Sequence, residues 1–410
     1  MAKLLEGMRV VDLTQFLSGP FGTQLLAGMG AQVIKVETPG KGSAERSSTP
    51  FAGAKGVSTK RQTEEDLSLP VLKRNRNKES VTLNLKTAEG KALFFRLIER
   101  ADVVMENFRP GTMEKLGLSY EAVKAVNPSI IYCSLNGFGD IQAYKNLPAF
   151  DIVIQAMSGL MCVNGDSDGP PTRANVAVAD IGAGIYCCIG ILAAFIYRQR
   201  TGVGQRVDVS MIETALSYLM DEAPDFWATQ GVPYRNGSRV TRLTPFNCYK
   251  AQDGDYVIAS GTDAHWQTIL RIMGREDLLE DSRYKESSQR AKNTQEVDGI
   301  INAWSKGLAA DEAVKALQAG GIPCAKVKTI PEAYSDPELV GFGSIVPVRH
   351  PVAGEINEVK SWDFPIHFSE DETRFSRPAP LLGEQNTQIY QGLLGLGTEE
   401  LAALRAKGVI

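Results

Sequence analysis

Histidine and closely spaced cysteine are scarce in this 410-residue chain. There are three histidines, His265, His350 and His367, and no two of them have the spacing of metal ligands. None of the six cysteines forms a C-x-x-C pair, and Cys187 and Cys188 lie inside an apolar run, which is typical of buried free thiols. The sequence therefore lacks the usual signatures of a metal site or a disulfide framework, and a histidine-based catalytic triad has no support.

Strong charge and long hydrophobic runs are also missing. The formal net charge of −4 gives no overall attraction for nucleic acid, so an anionic ligand needs a local basic cluster. The longest apolar run, Ile181–Tyr197, falls short of the ~20 residues that a bilayer requires and contains three glycines, so we predict a buried core helix. Residues 1–7 do not have the pattern of a signal peptide, and we expect a cytoplasmic protein without a membrane partner.

Strands and helices alternate through residue 200, which predicts a parallel sheet covered by helices. The predicted strands are 9–13, 32–37, 80–85, 102–106 and 129–135, and the predicted helices include 21–29 and 89–100. Residues 40–70 are polar and lack periodicity, so they predict a long surface loop that could act as a lid. Residues 207–222 predict a helix with Asp208, Ser210 and Glu213 on its polar side.

The pattern changes after this helix and indicates a second, smaller domain. We predict an α/β protein in which residues 1–205 form the first part of a large Rossmann-like domain. Residues 206–230 are expected to form a linker helix and residues 231–330 a small α/β domain. Residues 331–410 are expected to return to the large domain.

Asp180 lies where a polar turn meets the long apolar run. Aspartate is favoured at a helix start because its oxygens accept unpaired backbone N–H groups and its charge suits the helix dipole. A catalytic interpretation rests on its small neighbours, Ala179, Gly182, Ala183 and Gly184, which we expect to leave space for a ligand. From these residues alone, a helix cap and a working carboxylate both remain open.

Polar and basic groups follow several predicted strands. Residues 73–78, Lys-Arg-Asn-Arg-Asn-Lys, are interpreted as a solvated strand entrance or as a phosphate-binding patch. Residues 107–111, Asn-Phe-Arg-Pro-Gly, form a turn at the carboxyl end of a strand, where open parallel sheets bind ligands. Glu37 resembles the ribose-binding acid of a dinucleotide fold, but residues 18–22 do not supply G-x-G-x-x-G, which weakens nicotinamide binding.

Taken together, ordered blocks along nearly the whole chain resemble the family III coenzyme A transferases, which include formyl-CoA transferase and carnitine CoA-transferase. The matching blocks are residues 7–14, 18–20, 30–37, 75–78 and 101–111, Asp180 with Gly184, and residues 201–205, 321–324 and 380–384. The resemblance implies a Rossmann-like domain built from both chain ends, an inserted small domain and an interlocked dimer. It also implies that Asp180 is a nucleophile that carries CoA as an aspartyl thioester.

The resemblance further implies which residues line the CoA site. These residues are Ser18, Leu83, Asn84, Lys86, Asn107, Phe108 and Lys115, and Thr38 stands where formyl-CoA transferase has a phosphate-binding arginine. Pro148 replaces a family lysine, so Lys41, Lys73 and Arg74 are considered as substitutes for the phosphate contacts. Residues 236–242 lack the glycine-rich loop of formyl-CoA transferase, which argues against formate or oxalate.

Three alternatives remain. A 2-methylacyl-CoA racemase of the same fold would have a histidine before the aspartate of residues 149–151, Ala-Phe-Asp, and this chain has none. A nucleotide-dependent oxidoreductase lacks its glycine signature. A non-catalytic subunit of a heteromeric transferase is disfavoured because Asp180 is present.

The substrates are less well defined by the sequence. We predict transfer of CoA, without a metal or NAD, from an acyl-CoA such as succinyl-CoA to a small organic acid. Arg235, Arg239 and Arg242 could bind a second carboxylate, and Phe150 is a further candidate for substrate contact. Nearby aromatic residues would suit a bulky acceptor; they are Phe226, Trp227, Tyr234 and Phe246. The expected assembly is a homodimer or a heteromer with a similar subunit.

Overall fold

The computed structural model describes residues 3–220, 222–230, 235–371 and 373–410, except for the side chains of residues 222, 223, 226 and 230. The chain divides into two compact units. The first comprises Met1–Leu160, Ala174–Met220 and Pro337–Ile410, and the second comprises Met161–Arg173 and Asp221–Asp336. The four-part domain assignment made from the sequence stays a prediction.

The elements follow one another along the described residues in this order. The strands are β1 (Arg9–Asp12), β2 (Gln32–Glu37), β3 (Phe51–Gly53), β4 (Gly56–Ser58), β5 (Leu67–Ser68), β6 (Glu79–Thr82), β7 (Val103–Glu106), β8 (Ile131–Asn136), β9 (Arg206–Ser210), β10 (Phe246–Lys250), β11 (Asp255–Ala259), β12 (Cys324–Lys326), β13 (Ile345–His350) and β14 (Gly354–Trp362). The α-helices are α1 (Ser18–Gly28), α2 (Leu69–Arg74), α3 (Ala88–Ile98), α4 (Thr112–Leu116), α5 (Tyr120–Val126), α6 (Asp151–Met157), α7 (Leu160–Val163), α8 (Val178–Thr201), α9 (Met211–Ser217), α10 (Glu222–Gln230), α11 (Asp263–Ile272), α12 (Ser287–Lys292), α13 (Thr294–Ser305), α14 (Ala310–Ala319), α15 (Ile330–Tyr334), α16 (Pro337–Gly341) and α17 (Thr398–Ala406). Short 3-10 helices cover Ala44–Ser47 and Glu276–Leu278, and a π-helix covers Gln388–Leu393.

A six-stranded parallel sheet forms the centre of the first unit and confirms the predicted fold class. Its strand order is β6-β2-β1-β7-β8-β9, and every neighbouring pair is parallel. Counted along the chain, this is the 3-2-1-4-5-6 order of dinucleotide-binding folds. The strand order reverses between β1 and β7, so a ligand crevice is expected beyond their carboxyl ends.

Alternate residues of the sheet enter two separate cores, because side chains of a strand point to opposite faces in turn. Val10, Val33 and Val103 pack with helices α1, α8 and α9, whereas the next residues, Val11 and Ile34, pack on the other face with α3, α5 and α17. Because α17 lies near the end of the chain, both ends of the sequence build this unit.

Residues 40–70 are not the open surface loop that the sequence predicts. β3 pairs antiparallel with β4 and β5, and Ala52, Leu67 and the charged Glu45 and Arg46 are buried. The segment is polar because it buries ion pairs, which a periodicity argument cannot distinguish from a solvated loop. The surface-loop prediction is therefore wrong for the segment as a whole, although residues 59–65 are mostly exposed and form no helix or strand.

The helix predicted for residues 207–222 is also wrong at its start. Arg206–Ser210 is the edge strand β9, and the short helix α9 follows it. Val207 and Val209 pack against the core while Arg206 and Asp208 are more exposed, which is the two-residue alternation of a strand. Because the predicted linker helix begins at residue 206, its first residues belong instead to the parallel sheet.

Helix α8 has 24 residues and is, by length and composition, apolar enough to cross a membrane. The sequence argument that this segment is too short is therefore wrong, because the helix extends beyond the apolar run at both ends. Core helices pass the same test. Ala183, Cys187 and Ile191 are buried in the core beside the sheet, in agreement with the predicted core helix and its buried cysteines.

The second unit has its own sheet and core. Strands β10, β11 and β12 form an antiparallel sheet, and helices α11, α13 and α14 pack on it. Trp266, Ile301 and Leu317 are almost completely buried there. This is the small α/β arrangement that the fold prediction includes.

Candidate active site

The loop between β1 and α1 is held by a buried ion pair. Lys78 Nζ donates to Asp12 Oδ2 at 3.0 Å, to the Pro20 carbonyl at 2.9 Å and to Thr23 Oγ1 at 2.8 Å. The other Asp12 oxygen accepts from the backbone and hydroxyl of Thr14. Burial alone would raise the pKa of Asp12, but the charges of Lys78 and Lys35 lower it to about 2. The carboxylate therefore stays ionised and fixes both ends of the loop.

Two further buried pairs lie beside it. Lys35 Nζ lies 3.2 Å from Glu45 Oε1, and it also donates to the Thr14 carbonyl. Glu37 accepts from Arg46 through both carboxylate oxygens at 2.7 Å and from the Ser43 and Ser80 hydroxyls. The resemblance of Glu37 to a ribose ligand is thus only positional, since these contacts already occupy its oxygens.

The sequence interpreted the basic segment 73–78 as a solvated strand entrance or as a phosphate-binding patch. Neither interpretation fits the whole segment. Lys78 is buried in the ion pair, and Arg76 is buried against the rings of Trp362 and Phe375. Lys73 and Arg74 are half-buried and remain the members that solvent can reach. The basic composition of the segment does not reveal that Arg76 and Lys78 face the interior.

The tip of the β1–α1 loop has a constrained backbone at Phe16. Its φ is +67°, in the left-handed region that a bulky residue seldom adopts. Glu45 accepts from the Phe16 N–H at 3.1 Å, and Arg74 Nη1 donates to the Phe16 carbonyl at 3.0 Å. Gln15 and Asn107 exchange a reciprocal pair of bonds at 2.8 Å. These bonds join the loops that follow β1 and β7, where the strand order reverses.

Asp180 lies close to the first turn of α1. Helices α1 and α8 approach closely at Gly22 and Gly184: a Cβ added to Gly184 would lie 2.6 Å from the Ser18 carbonyl. A Cβ on Gly182 would overlap the Tyr218 hydroxyl. The expectation that these small residues leave space for a ligand is therefore wrong, because the glycines permit helix contact instead. Their effect is to bring Asp180 and Ser18 together.

Asp151, and not Asp180, caps helix α8. The residue before the helix is Ala177, and Asp180 is the third helical residue with no capping bond of its own. Asp151 Oδ1 accepts from the N–H groups of Ala179 at 2.9 Å and Asp180 at 3.4 Å. Gln155 supports this carboxylate by donating to Oδ2 at 2.6 Å. The Asp180 side chain is consequently released from the capping role.

The electrostatic setting raises the pKa of Asp180 to about 6. Burial is the largest cause, and the nearby Asp151 charge acts in the same direction. Interaction with Ser18 and the charge of Arg74 favour the ionised form and limit the increase. A carboxylate of this kind is more basic than an exposed aspartate and is still mostly ionised at neutral pH, as a nucleophile requires.

Two exposed aromatic rings stand near these carboxylates. Phe150 is 63% exposed and immediately precedes Asp151, and Phe16 is 53% exposed; their centroids are 6.5 Å apart, edge to face. The sequence argument included Phe150 but missed Phe16 and the capping role of Asp151. A polar loop directly after a buried strand was the available signal for Phe16, whereas the pairing of Asp151 with α8 is a tertiary contact.

The sequence-predicted CoA residues are distributed along the carboxyl edge of the parallel sheet. Ser18 and Leu83 are buried, Asn84, Asn107 and Phe108 are half-buried, and Thr38, Lys86 and Lys115 are exposed. They follow strands β1, β2, β6 and β7. The structure thus brings the predicted residues to one edge, and their contacts with CoA stay a prediction.

Two cavities at this edge offer basic groups. One of about 320 Å³ lies against the loop after β7 and includes Phe108, Arg109, Lys145 and Arg206. Another of about 290 Å³ lies beyond β2 and includes Lys41 and Arg61. Lysine and arginine side chains there could approach the phosphates of a nucleotide-like ligand.

The candidate arginines of the second unit already have contacts. Arg239 donates to Asp298 at 2.8 Å, and Arg235 donates to the Asp166 carbonyl at 3.3 Å. Arg242 also interacts with neighbouring groups. Trp227 is exposed, whereas Tyr234 and the Phe226 side chain lie outside the described residues.

Comparison with known proteins gives the same family over the whole chain. The model of CoA-transferase family III matches residues 5–386. A succinyl-CoA–D-citramalate CoA-transferase of Chloroflexus aurantiacus is 35% identical over 407 residues, covering 99% of this chain and 98% of that protein. A formyl-CoA:oxalate CoA-transferase of Streptomyces avermitilis is 35% identical over 427 residues, covering all of both chains.

A solved structure agrees with these sequence relatives. The crystal structure of a CAIB/BAIF family protein from Brucella suis has a TM-score of 0.83 and 32% identity, and the match covers 96% of this chain and 100% of that one. The resemblance seen in the sequence is confirmed. Transfer of CoA is the enzymatic activity that these relatives share. The chain belongs to CoA-transferase family III.

Proposed function

We propose that this enzyme transfers CoA between two carboxylic acids through a covalent thioester on Asp180. The observation that carries the proposal is the Asp180 carboxylate itself. It has a pKa of about 6, is free of the helix-capping role and lies beside Ser18 at the first turn of α1. It is thus basic enough to attack a carbonyl and remains ionised at neutral pH.

The reaction exchanges one carboxylic acid for another as the acid that is joined to CoA. An Asp180 oxygen attacks the donor thioester carbonyl, the C–S bond breaks, and CoA leaves as a thiolate with formation of a mixed anhydride. The thiolate then attacks the Asp180 carbonyl carbon, which releases the donor acid as a carboxylate and leaves an aspartyl-CoA thioester. The acceptor carboxylate reverses these steps, so no net proton or electron is transferred.

The first turn of α1 supports this chemistry electrostatically. Leu17, the residue before this helix, makes no side-chain capping bond, and Pro20 has no N–H, so the proposed donors are the N–H groups of Ser18 and Gly19 together with the positive end of the helix dipole. Such donors stabilise negative charge that develops on a tetrahedral oxygen. The buried pairs at Lys78 and Lys35 hold the preceding loop, which keeps this turn in place.

We place CoA along the carboxyl edge of the sheet, against the residues that the family resemblance implies. Thr38 cannot supply the charge of the arginine that it replaces. Lys41 and Arg61 line the cavity beyond β2, and Lys145 and Arg109 line the cavity beyond β7. These side chains are our proposed substitutes for the missing phosphate contacts. Of the two other candidates, Lys73 and Arg74, Arg74 donates to the Phe16 carbonyl.

For the substrates, we propose succinyl-CoA as donor and a dicarboxylic acid as acceptor. The Chloroflexus relative is named for succinyl-CoA and citramalate, which is a dicarboxylate, and the Streptomyces relative is named for oxalate, also a dicarboxylate. Phe150 and Phe16 would border the acyl group. The sequence-based assignment of Arg242 to a second carboxylate stays a prediction.

The direct test is a transfer assay with purified protein, succinyl-CoA and a panel of mono- and dicarboxylic acids. We expect new acyl-CoA products from dicarboxylates and at least a 10³-fold loss of rate in Asp180→Ala, as expected when a covalent nucleophile is removed. Formyl-CoA is the competing donor. Exchange of the acyl α-proton without CoA transfer would instead identify a racemase and contradict the proposal.

We further infer that the protein acts as a dimer in the cytoplasm. Helix α8 exposes a row of apolar side chains, with Ile185, Ile189 and Ile196 each more than 40% exposed. Exposed apolar surface of this extent on one helix is typical of a protein interface. A second copy of the chain is the proposed partner.

A further inference from the structure

A third basic cavity lies away from the carboxylates of the active site. It has a volume of about 310 Å³, and four arginines line it: Arg76, Arg349, Arg374 and Arg377. They come from the α2–β6 connection, from β13 and from the segment after β14. Within the described residues, the same cavity contains two carboxylates, Glu355 and Asp363, so its lining carries a formal excess of positive charge.

Arg76 is the unusual member of this group. It is 4% exposed, its guanidinium lies 4.2 Å from the Phe375 ring centroid and 5.3 Å from that of Trp362, and its Nε and Nη2 groups have no hydrogen-bond partner within the described structure. Burial lowers the pKa of Arg76 to about 10, and the nearby Asp363 charge only partly offsets that effect. A buried guanidinium without acceptors is unfavourable, so an acceptor is expected.

The two groups without partners identify the kind of acceptor. Nε and Nη2 form one edge of the guanidinium, and their parallel N–H bonds match the two oxygens of a carboxylate or a phosphate. Asp363 makes no hydrogen bond to these two groups within the described structure, and its Oδ1 accepts from the Phe375 N–H. The aromatic rings fix the guanidinium plane, which favours one orientation of the bound anion.

The other arginines differ in how far they are already neutralised. Arg349 donates to Glu355 at 3.0 and 3.2 Å. Arg377 lies 3.6 Å from Glu79 and donates to the Asn77 carbonyl. Arg374 is exposed and makes no ion pair in the described part of the chain. Arg76 and Arg374 are therefore the two cations with most capacity to bind an additional anion.

We propose that this cavity is a binding site for a small oxyanion, separate from the CoA site. The bound oxyanion accepts from the Nε–Nη2 edge of Arg76 after a small movement of that side chain, and Arg374 closes over it from the solvent side. It links two segments that are distant in sequence, so binding stabilises the folded enzyme.

The test uses the full-length enzyme and measures thermal unfolding and titration calorimetry with inorganic phosphate and, separately, succinate. Ionic strength is held constant with chloride, so that a general salt effect is excluded. We expect a saturable rise in Tm with at least one of the two anions. The stronger of them identifies whether the site prefers a phosphate or a carboxylate.

Variants locate the binding. Arg374→Ala, at an exposed position, should weaken the titrated Kd on the order of tenfold, because one charge-assisted bond is lost. Arg76→Met, which keeps the contact with the rings, should abolish saturation. Arg200→Ala, an exposed arginine at the end of α8, is the matched control and should bind as the native enzyme does.

Competition with CoA separates this site from the active site. Enzyme saturated with CoA, and the Asp180→Ala variant, should bind the anion with unchanged Kd. Displacement of the anion by CoA would overturn the proposal, as would unchanged binding in Arg374→Ala or in folded Arg76→Met. The absence of any saturable effect with both anions would also overturn it. None of these results bears on covalent transfer through Asp180.

Discussion

At the scale of single residues, the division of labour between Asp151 and Asp180 is the main finding. Asp151 accepts the N–H groups at the start of α8, and Asp180 is left with a raised pKa beside Ser18. Asp180 therefore does not cap its own helix, although it lies in the first turn. Capping by a residue from a different helix makes a reactive carboxylate compatible with a stable helix start.

The raised pKa of Asp180 predicts the pH dependence of the reaction. The carboxylate form is the nucleophile, so kcat/KM should rise with pH through an apparent pKa of about 6 and then level off.

The contribution of Asp180 to folding stability should change with pH in the opposite direction. Since the folded pKa exceeds the ordinary value of 3.8, the contribution of Asp180 to stability should fall as pH rises from 3.8 to about 6.

Replacement of Asp151 tests the cause of this shift. Asp151→Asn retains an oxygen for the helix cap and removes the neighbouring charge, so the acid limb of the pH–rate profile should move to lower pH. Glu213→Gln, which changes a carboxylate elsewhere in the same unit, is the control. An acid limb that stays in place would show that Asp151 has no electrostatic influence on the nucleophile.

The sequence selected Asp180 as the candidate nucleophile, a role that stays a proposal, but it gave the wrong reason for its glycine neighbours. Residue type and helix position can be derived from local pattern, and they indicated a carboxylate at the start of an apolar helix. Whether a glycine faces a ligand or another helix depends on contacts between distant segments. The same limit explains why the pairing of Lys78 with Asp12 was not foreseen.

At the scale of elements, the close contact of α1 and α8 sets the geometry of the site. Gly22 and Gly184 face each other, and this contact brings the first turn of α1 beside Asp180. The regular strands and longer helices were predicted well because their apolar periodicity is strong. Residues 40–70 and 206–210 were not predicted well, because buried ion pairs and an edge strand do not produce a clear apolar pattern.

Gly184→Ala should disturb this contact. Its new Cβ would lie 2.6 Å from the Ser18 carbonyl, and overpacking of this kind destabilises by about 1–3 kcal/mol. Because Ser18 would move from Asp180, kcat should also fall. Chemical denaturation and the transfer assay measure the two effects.

Gly299→Ala provides the matched control for that substitution. Gly299 lies in α13, and a Cβ there would meet no atom within 4 Å. The change should stabilise the helix by about 0.5–1 kcal/mol, because alanine has the higher helix propensity. Equal effects of the two substitutions on stability and rate would contradict the packing explanation.

At the scale of the whole molecule, the 3-2-1-4-5-6 strand order places the proposed chemistry where open α/β sheets bind ligands. The fold class and the family could be inferred from ordered sequence blocks, because these blocks occupy strand ends and tight turns. The assembly could not be derived from one chain, because an apolar helix face is compatible with a partner or with a membrane. Helix α8 presents such a face.

The dimer proposal predicts the molar mass in solution. Light scattering after gel filtration should give twice the chain mass of 44.5 kDa for the native protein. Ile189→Asp, at a position 56% exposed, should weaken association because it introduces a charge into the apolar face. Lys306→Asp, an exposed position in the second unit, is the control. A monomeric native protein with full activity would contradict the proposal.

Covalent transfer through Asp180 can be tested most directly by mass spectrometry. The native enzyme and Asp180→Ala are incubated with succinyl-CoA, treated with hydroxylamine and digested. We predict a hydroxamate on the peptide that contains Asp180 in the native enzyme and no such modification in the variant. CoA transfer by the native enzyme without modification of that peptide, or undiminished transfer by Asp180→Ala, would contradict the proposed aspartyl-CoA intermediate.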